Sequence, residues 1–300
     1  MEAPHPPLKI AVVVCFLDEE AHLPRFLSSM AAQTRRPDRL LLVDDGSADA
    51  SGPIARDFAA RHGFATALHR PRRAAERDRL ARAPELQAFQ WGLDRLGPDY
   101  DVIAKVDADL ALAPGLLAGL QDAFVADPEL GLAGAVLHSA GPDGVLRPER
   151  VPSYHVRGAT KFYRRACLEQ ISPIPAILGW DTIDEVHARR LGWATRSIDL
   201  PGPPTVHMRP PGAHDGIARG YRRWGECAWA YGAHPLNVLA GGVHRMRRRP
   251  YVLGGLQYLA GWSLAAARRL PRADAQVRAF CRTEQRDRAR RALAGRVGVA

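Results

Sequence analysis

Tyr100-Asp101-Val102-Ile103-Ala104-Lys105-Val106-Asp107-Ala108-Asp109-Leu110, followed by Ala113-Pro114, is the stretch that decides how this chain is read. Val102, Ile103, Ala104 and Val106 form a short apolar run after the turn-forming Gly97-Pro98-Asp99, which predicts a buried strand. Two carboxylates separated by one small residue stand where that strand should end. Strand geometry sends Asp107 and Asp109 to the same face, and Ala108 leaves room for a ligand to approach the backbone. Neighbouring carboxylates repel unless a cation or a shared proton relieves them. Such oxygen donors suit Mg²⁺ or Mn²⁺, ions that keep positions open for the phosphates of a substrate. Taken alone, Asp-Ala-Asp is more often a solvated turn, so its context has to carry the argument.

Upstream, Ile10 to Phe16 is an apolar, β-branched run that predicts a fully buried parallel strand. Leu17-Asp18-Glu19-Glu20 ends it, and Leu23, Phe26, Leu27 and Met30 follow at helical spacing in a segment that closes near Thr34. After Pro37, Arg39 to Val43 predicts a second strand, ended by Asp44-Asp45-Gly46-Ser47, with Asp49 or Ser51 capping the next helix. This is the βαβ rhythm, whose crossovers are right-handed. Three strands thus end in acids, at Asp18-Glu19, Asp44-Asp45 and Asp107-Asp109. Open α/β sheets bind ligands beyond the carboxyl ends of their strands, so these acids are expected to converge on one cleft. Phe64 to His69 predicts a third strand. The arginine-crowded Arg70 to Arg82 is read as a loop or exposed helix near anionic groups, or as a solvated charged face.

Downstream, a helix is predicted over Leu116 to Phe124, a turn at Asp127-Pro128 and a strand over Leu132 to Leu137, with a hairpin or loop at Gly141 to Gly144. A strand over Val156 to Arg164 and a short helix over Arg165 to Ile171 follow. Gly179-Trp180-Asp181 opens a helix that runs to Gly192, where a first-turn carboxylate can be a cap or a functional group. Ala194 to Ile198 predicts another strand, and Pro201 to Gly216 a loop holding His207, Arg209 and His214.

Three hundred residues suffice for one large domain, or one domain with an appendage, and the apolar and charged fractions of 46% and 25% are those of a globular chain. Cys15, Cys167, Cys227 and Cys281 are far apart, which points to isolated thiols in a reducing compartment. The proline-rich Met1 to Pro7 carries no secretory pattern. Charge is unevenly placed: residues 221–300 hold 16 arginines and 4 acids, a surplus of +12 against +10 for the whole chain, which leaves −2 for the other 220 residues. A basic tail suggests an anionic partner, and no nucleic-acid motif accompanies it. Tyr251 to Ala267 is an uncharged run between arginine clusters. As a helix it reaches about 25 Å, short of the ~30 Å hydrocarbon core. It reads equally as a helix lying in a membrane interface or as one buried against the catalytic domain.

From Lys9 to His207 these pieces, in this order, resemble the family 2 glycosyltransferases. Leu17-Asp18-Glu19-Glu20 is similar to the family's Asn-Glu-Glu opening. Gln33-Thr34, Pro37 and Val43-Asp44-Asp45-Gly46-Ser47-Ala48-Asp49 match its pattern nearly residue for residue. Val106-Asp107-Ala108-Asp109-Leu110 resembles its metal-and-diphosphate motif and Gly179-Trp180-Asp181 its acceptor-side motif, which more usually reads Glu-Asp.

The resemblance implies an α/β fold of the GT-A type: a Rossmann-like, mostly parallel sheet flanked by helices, here with a basic helical C-terminal extension. The expected divisions are a tail over 1–8, a catalytic domain over 9–216 (nucleotide half 9–112, acceptor half 113–216) and the extension over 217–300, with membrane association. It implies an inverting transfer from a nucleotide-diphospho-sugar to a hydroxyl or lipid-phosphate acceptor in polysaccharide, glycolipid or cell-envelope assembly. Phe16, Glu19, Asp45, Asp107 and Ala108 are then the expected donor contacts, and Asp109 and His207 the ligands of Mn²⁺ or Mg²⁺. Asp181 is the expected general base, with Asp184 and Glu185 as alternatives; spacing to Gly192 favours Asp181. The implied setting is cytoplasmic or peripheral at the inner face of the cell membrane, with a glycan or lipid-linked acceptor. A sugar-nucleotide nucleotidyltransferase is disfavoured because no glycine-rich phosphate loop with a following lysine stands near the first strand. A non-catalytic sugar-nucleotide or lipid-binding protein of the same fold is the other alternative.

Overall fold

A computed structural model describes residues 7–71, 82–141, 143–209, 217–247 and 250–297. Strand β1 (Ile10–Phe16) is buried at every position. It pairs in parallel with β2 (Arg39–Asp44) on one side and with β4 (Val102–Asp107) on the other. Helix α1 (Leu23–Ala31) covers one face of this central strand and α3 (Pro84–Leu96) the other, which is why Ile10 to Phe16 is uniformly apolar rather than alternating. With β3 (Ala65–His69), β6 (Leu130–Ala135), β9 (Thr160–Arg164) and β10 (Ala194–Ile198) these strands form a seven-stranded sheet in the order β10-β6-β9-β4-β1-β2-β3. Only β9 runs antiparallel, against both β4 and β6. Helix α1 (Leu23–Ala31) buries Leu23, Phe26, Leu27 and Met30. Their spacing puts all four on one face, each contributing roughly 1.5–3 kcal/mol on burial. Helices α2 (Ser51–Arg61), α3 (Pro84–Leu96), α4 (Leu116–Ala126) and α5 (Arg165–Ile171) complete the flanks. At Gly92 of α3 an added Cβ would sit 3.0 Å from Val43 and 3.1 Å from Val13, so this glycine sets how closely the helix approaches the sheet.

A second sheet, in the order β5-β11-β7-β8, is built from β5 (Leu110–Ala111), β7 (Leu137–Ala140), β8 (Leu146–Pro148) and β11 (Thr205–His207). Three expectations are corrected here. The strand over Leu132 to Leu137 is two strands: the chain leaves the main sheet at Ala135 and joins the small one at Leu137. The strand over Val156 to Arg164 begins only at Thr160. The loop after Pro201 contains β11, and His207 is therefore a strand residue held on both sides. Residues 72–81 of the arginine-rich stretch, and His214, lie outside the described residues.

The described residues fall into two compact units, one within 1–79, 84–173 and 191–211, the other within 80–83, 174–190 and 212–300. The first holds both sheets and α1–α5. The second holds α6 (Trp180–Arg190), α7 (Ile217–Ala230), α8 (Pro235–Met246), α9 (Val252–Ala267) and α10 (Ala275–Val297). So α6 groups with the chain after residue 211: Ile183 and Val186 pack with Ala230, Ala273, Val277 and Cys281, and Arg189 pairs with Glu284 at 2.7 Å. Within the same unit α9 packs on α7 and α8 through glycines. A Cβ on Gly261 would lie 2.0 Å from the Arg222 carbonyl oxygen, and one on Gly225 would lie 2.0 Å from that of Tyr258. Among the described residues no helix is long and apolar enough to cross a membrane.

Candidate active site

The loops after β1 and β2 are tied to each other by short polar side chains. Ala48 N–H donates to Asp18 Oδ1 (2.7 Å) and Asp18 N–H to Ser47 Oγ (3.0 Å). Glu19 N–H donates to Ser51 Oγ (2.8 Å), Glu20 N–H to Asp49 Oδ2 (3.0 Å) and Ala50 N–H to Glu20 Oε2 (3.0 Å). Asp18 has φ +53°, a left-handed conformation that aspartate and asparagine tolerate better than other side chains. That explains why an aspartate serves where the family has an asparagine. Asp44 is buried and accepts from Ser47 N–H at 2.7 Å, while its neighbour Asp45 pairs with Arg70 at 2.8 Å. Most of the acids and hydroxyls in these two motifs therefore hold the loops, leaving Glu19 and Asp45 to meet the cations Arg209 and Arg70.

The Asp107-Ala108-Asp109 segment departs from the same-face expectation. Strand β4 ends at Asp107 and the chain turns at Ala108-Asp109, so alternation stops before the second carboxylate. Asp107 bonds the ammonium of Lys105, a side chain only 1% exposed that also meets Glu85 and donates to the Gly158 carbonyl at 2.9 Å. Asp109 faces the second sheet instead, with His207 Nε2 at 3.4 Å and Arg209 Nε at 3.6 Å. The chain leaving this turn is pinned by the residues just after α1. Buried Gln33 donates to the Ala113 carbonyl at 2.7 Å and accepts from Leu117 N–H at 3.2 Å, and Thr34 N–H donates to the Pro114 carbonyl at 2.9 Å. The Gln33-Thr34 motif is thus the anchor of the segment that carries Asp109.

His207 sits between two carboxylates, Asp109 on Nε2 and Glu149 on Nδ1 (3.2 Å), and Glu149 also pairs with Arg157 at 2.8 Å. Burial works to lower the imidazole pKa, but the hydrogen bonds and charges of Asp109 and Glu149 outweigh it and hold it up at about 9. Burial likewise works to raise Asp109, and His207 and Arg209 pull it below the usual carboxylate range. Arg209 also bonds Glu19, so a single guanidinium links the first and third acid-ended strands. Glu19 and Asp109 are brought together as the sequence suggests, with His207 beside them. Phe16 and Ala108 are both buried, Phe16 offering its carbonyl to Asp45 N–H at 2.9 Å.

Lys105 and Glu149 escaped sequence reasoning. A lysine inside an otherwise apolar strand was the available signal for the first; nothing local marks Glu149. The second unit carries Asp181, in the first turn of α6 after Gly179, whose φ is +83°. Asp181 is half-buried, whereas Asp184 and Glu185 are each 1% exposed. Asp184 accepts from the Glu185 N–H at 2.6 Å, and Glu185 pairs with Arg189 at 3.5 Å.

A sheet of acid-ended parallel strands with this motif set defines a class, and sequence comparison agrees. The profile described as glycosyl transferase family 2 matches residues 11–174, more than half of the chain, and the chain belongs to that family. The polyprenol monophosphomannose synthase of Mycolicibacterium smegmatis is 34% identical over 109 residues, 36% of this chain and 37% of that protein. Among solved structures, the mannosyltransferase PcManGT from Pyrobaculum calidifontis, in complex with GDP-Man and Mn²⁺, superposes with a TM-score of 0.55 at 16% identity, covering 92% of this chain and 79% of that one. GalNAc-T7 with UDP, GalNAc and Mn²⁺ gives 0.56 at 12% identity over 89% and 55% of the two chains. The fold is the GT-A type expected from the sequence.

Proposed function

We propose that this chain is a glycosyltransferase that moves a sugar, with inversion, from a nucleoside-diphospho-sugar to a hydroxyl or lipid-phosphate acceptor. The observation that carries the reading is the cluster of Asp109, His207 and Arg209 with Glu19, at the carboxyl ends of the strands of a family 2 fold. Glu19 and Asp45 face the nucleotide, Asp45 accepting from the base or ribose, and Asp107 faces the sugar. Arg70 and Arg209, each now bound to a carboxylate, are among the described cations available to the diphosphate.

The residues present fit a divalent ion. Glu149 occupies His207 Nδ1 and so turns Nε2 toward Asp109, the outer-sphere arrangement that metal-binding histidines favour. An ion bound here would displace the proton that the two carboxylates favour on His207, so its binding would release a proton and weaken as pH falls. Among the described residues no group of three or more His, Cys, Asp or Glu could hold a metal, so the protein's share would be Asp109 and His207, with the rest left to diphosphate and water. When bound, Mn²⁺ or Mg²⁺ supplies Lewis-acid neutralisation of the departing nucleoside diphosphate.

An acceptor hydroxyl has to lose its proton during attack, and Asp181 is assigned that role because it is the least buried of the three α6 acids. A lipid phosphate is already ionised and needs no base. The partial likeness to a polyprenol monophosphomannose synthase makes such an acceptor the first to try. Asp181→Asn therefore separates the acceptors: turnover collapses with a hydroxyl acceptor and survives with a phosphate.

The reading as a whole is tested by binding and slow hydrolysis of UDP-, GDP- and dTDP-sugars with and without Mn²⁺, in wild type and Asp109→Ala. Metal-dependent binding of one donor, lost in the variant, is expected. Absence of binding to every donor with metal present would overturn it.

A further inference from the structure

Of the fourteen large apolar side chains exposed among the described residues, ten lie between Trp224 and Leu270. On α8 they are Leu236 (67% exposed), Leu239 and Val243, spaced so that they form one stripe along the helix. On α9 they are Val252, Leu253 (60% exposed) and Leu256, with Leu264 two turns further on. The opposite face of α9 is the one already filled: Gly254, Gly255, Tyr258, Gly261 and Ala265 are buried, and the glycines bring backbones into contact. So α9 carries no charged residue and its open side is apolar apart from Ser263, while it is packed on the other side only. A helix that merely closed a core would carry polar residues on its outer side.

The charge around these stripes has one sign. Between Glu226 and Asp274 the sequence holds seven arginines and no acid. Arg245 is engaged within the unit, over the ring of Tyr258 at 4.2 Å. Arg247, at the C-terminal end of α8, and Arg268 and Arg269, at that of α9, are exposed. Apolar stripes bordered by arginines without acids match the two layers of an anionic bilayer surface, acyl chain beneath phosphate. The helices are too short to span it.

We propose that the exposed faces of α8 and α9 are a docking surface for an anionic lipid bilayer, with Leu236, Leu239, Val243, Leu253 and Leu256 entering the acyl boundary and Arg247, Arg268 and Arg269 meeting lipid phosphates. This inference stands on the second unit alone and does not rest on the transferase reading.

The test is flotation of the full chain with vesicles of phosphatidylcholine alone, or with roughly one third phosphatidylglycerol. Wild type should float with the anionic vesicles and at least about tenfold less with the neutral ones, the preference shrinking as salt is raised. Leu239→Glu with Leu256→Glu, and separately Arg268→Glu with Arg269→Glu, should each lower flotation by about tenfold or more with the thermal melt unchanged. Should the leucine pair fail to fold, the arginine pair and the salt series decide alone. The proposal is overturned if wild type does not float with anionic vesicles, or if folded variants float as wild type does. It is also overturned if sedimentation shows a dimer that the leucine pair splits, since a second copy would then be what covers the face.

Discussion

In the loops after β1 and β2, short polar side chains hold two backbones together, Asp18 to Ala48 and Ser51 to Glu19. In the layer of α7, α8 and α9 the absence of side chains does the same, with Gly225, Gly255 and Gly261 letting carbonyls and helices touch. The first device fixes direction, because a hydrogen bond dictates where each donor and acceptor points, and it surrounds residues that must be aimed. The second fixes only distance. It suits a layer whose opposite face is left free for a surface rather than for a small ligand.

The comparison is broken most sharply at the aimed residues. Asp109→Ala should lower turnover by on the order of 10²–10³, about 3–4 kcal/mol in the transition state, with the melting temperature little changed. Steady-state kinetics with the preferred donor would show it. Gly261→Val should cost about 3 kcal/mol or more in urea denaturation, because its Cβ meets the Arg222 carbonyl oxygen at 2.0 Å and backbone cannot step aside. Gln33→Ala strands the buried partners at Ala113 and Leu117 and should cost about 1–3 kcal/mol. Leu256→Ser, on the other face of the helix that carries Gly261, should change stability by no more than about 0.5 kcal/mol. Finally, burial pushes the Cys15 thiol up to about 12. At pH 8 its thiolate fraction is then about one in ten thousand, so iodoacetamide should label it only after unfolding.

Much of this was legible because it was local. Ile10 to Phe16 could only be a central parallel strand, and the α1 stripe marks its helix without help from the rest of the chain. The end of β4 was not legible, since Asp107 and Asp109 part company through long-range partners, Asp107 N–H donating to the Ala159 carbonyl and Asp109 meeting His207. Strand β11 was hidden in a proline-rich stretch. Three residues carry no periodicity, and its ladder is made by β5 and β7, far away in sequence. Among the site residues, Glu19, Asp45, Asp107 and Asp109 announced themselves by motif, and Glu149 did not. Their counter-cations did not, because which arginine or lysine answers which acid is a product of folding.

The buried ammonium of Lys105 has one further consequence. It bonds both Asp107 and the Gly158 carbonyl while Asp109 answers to the second sheet, so a motif written as a single unit has its two carboxylates held by different partners. On the roles proposed above, substitution of Lys105 would act first on the sugar side of the motif and substitution of His207 first on the ion side.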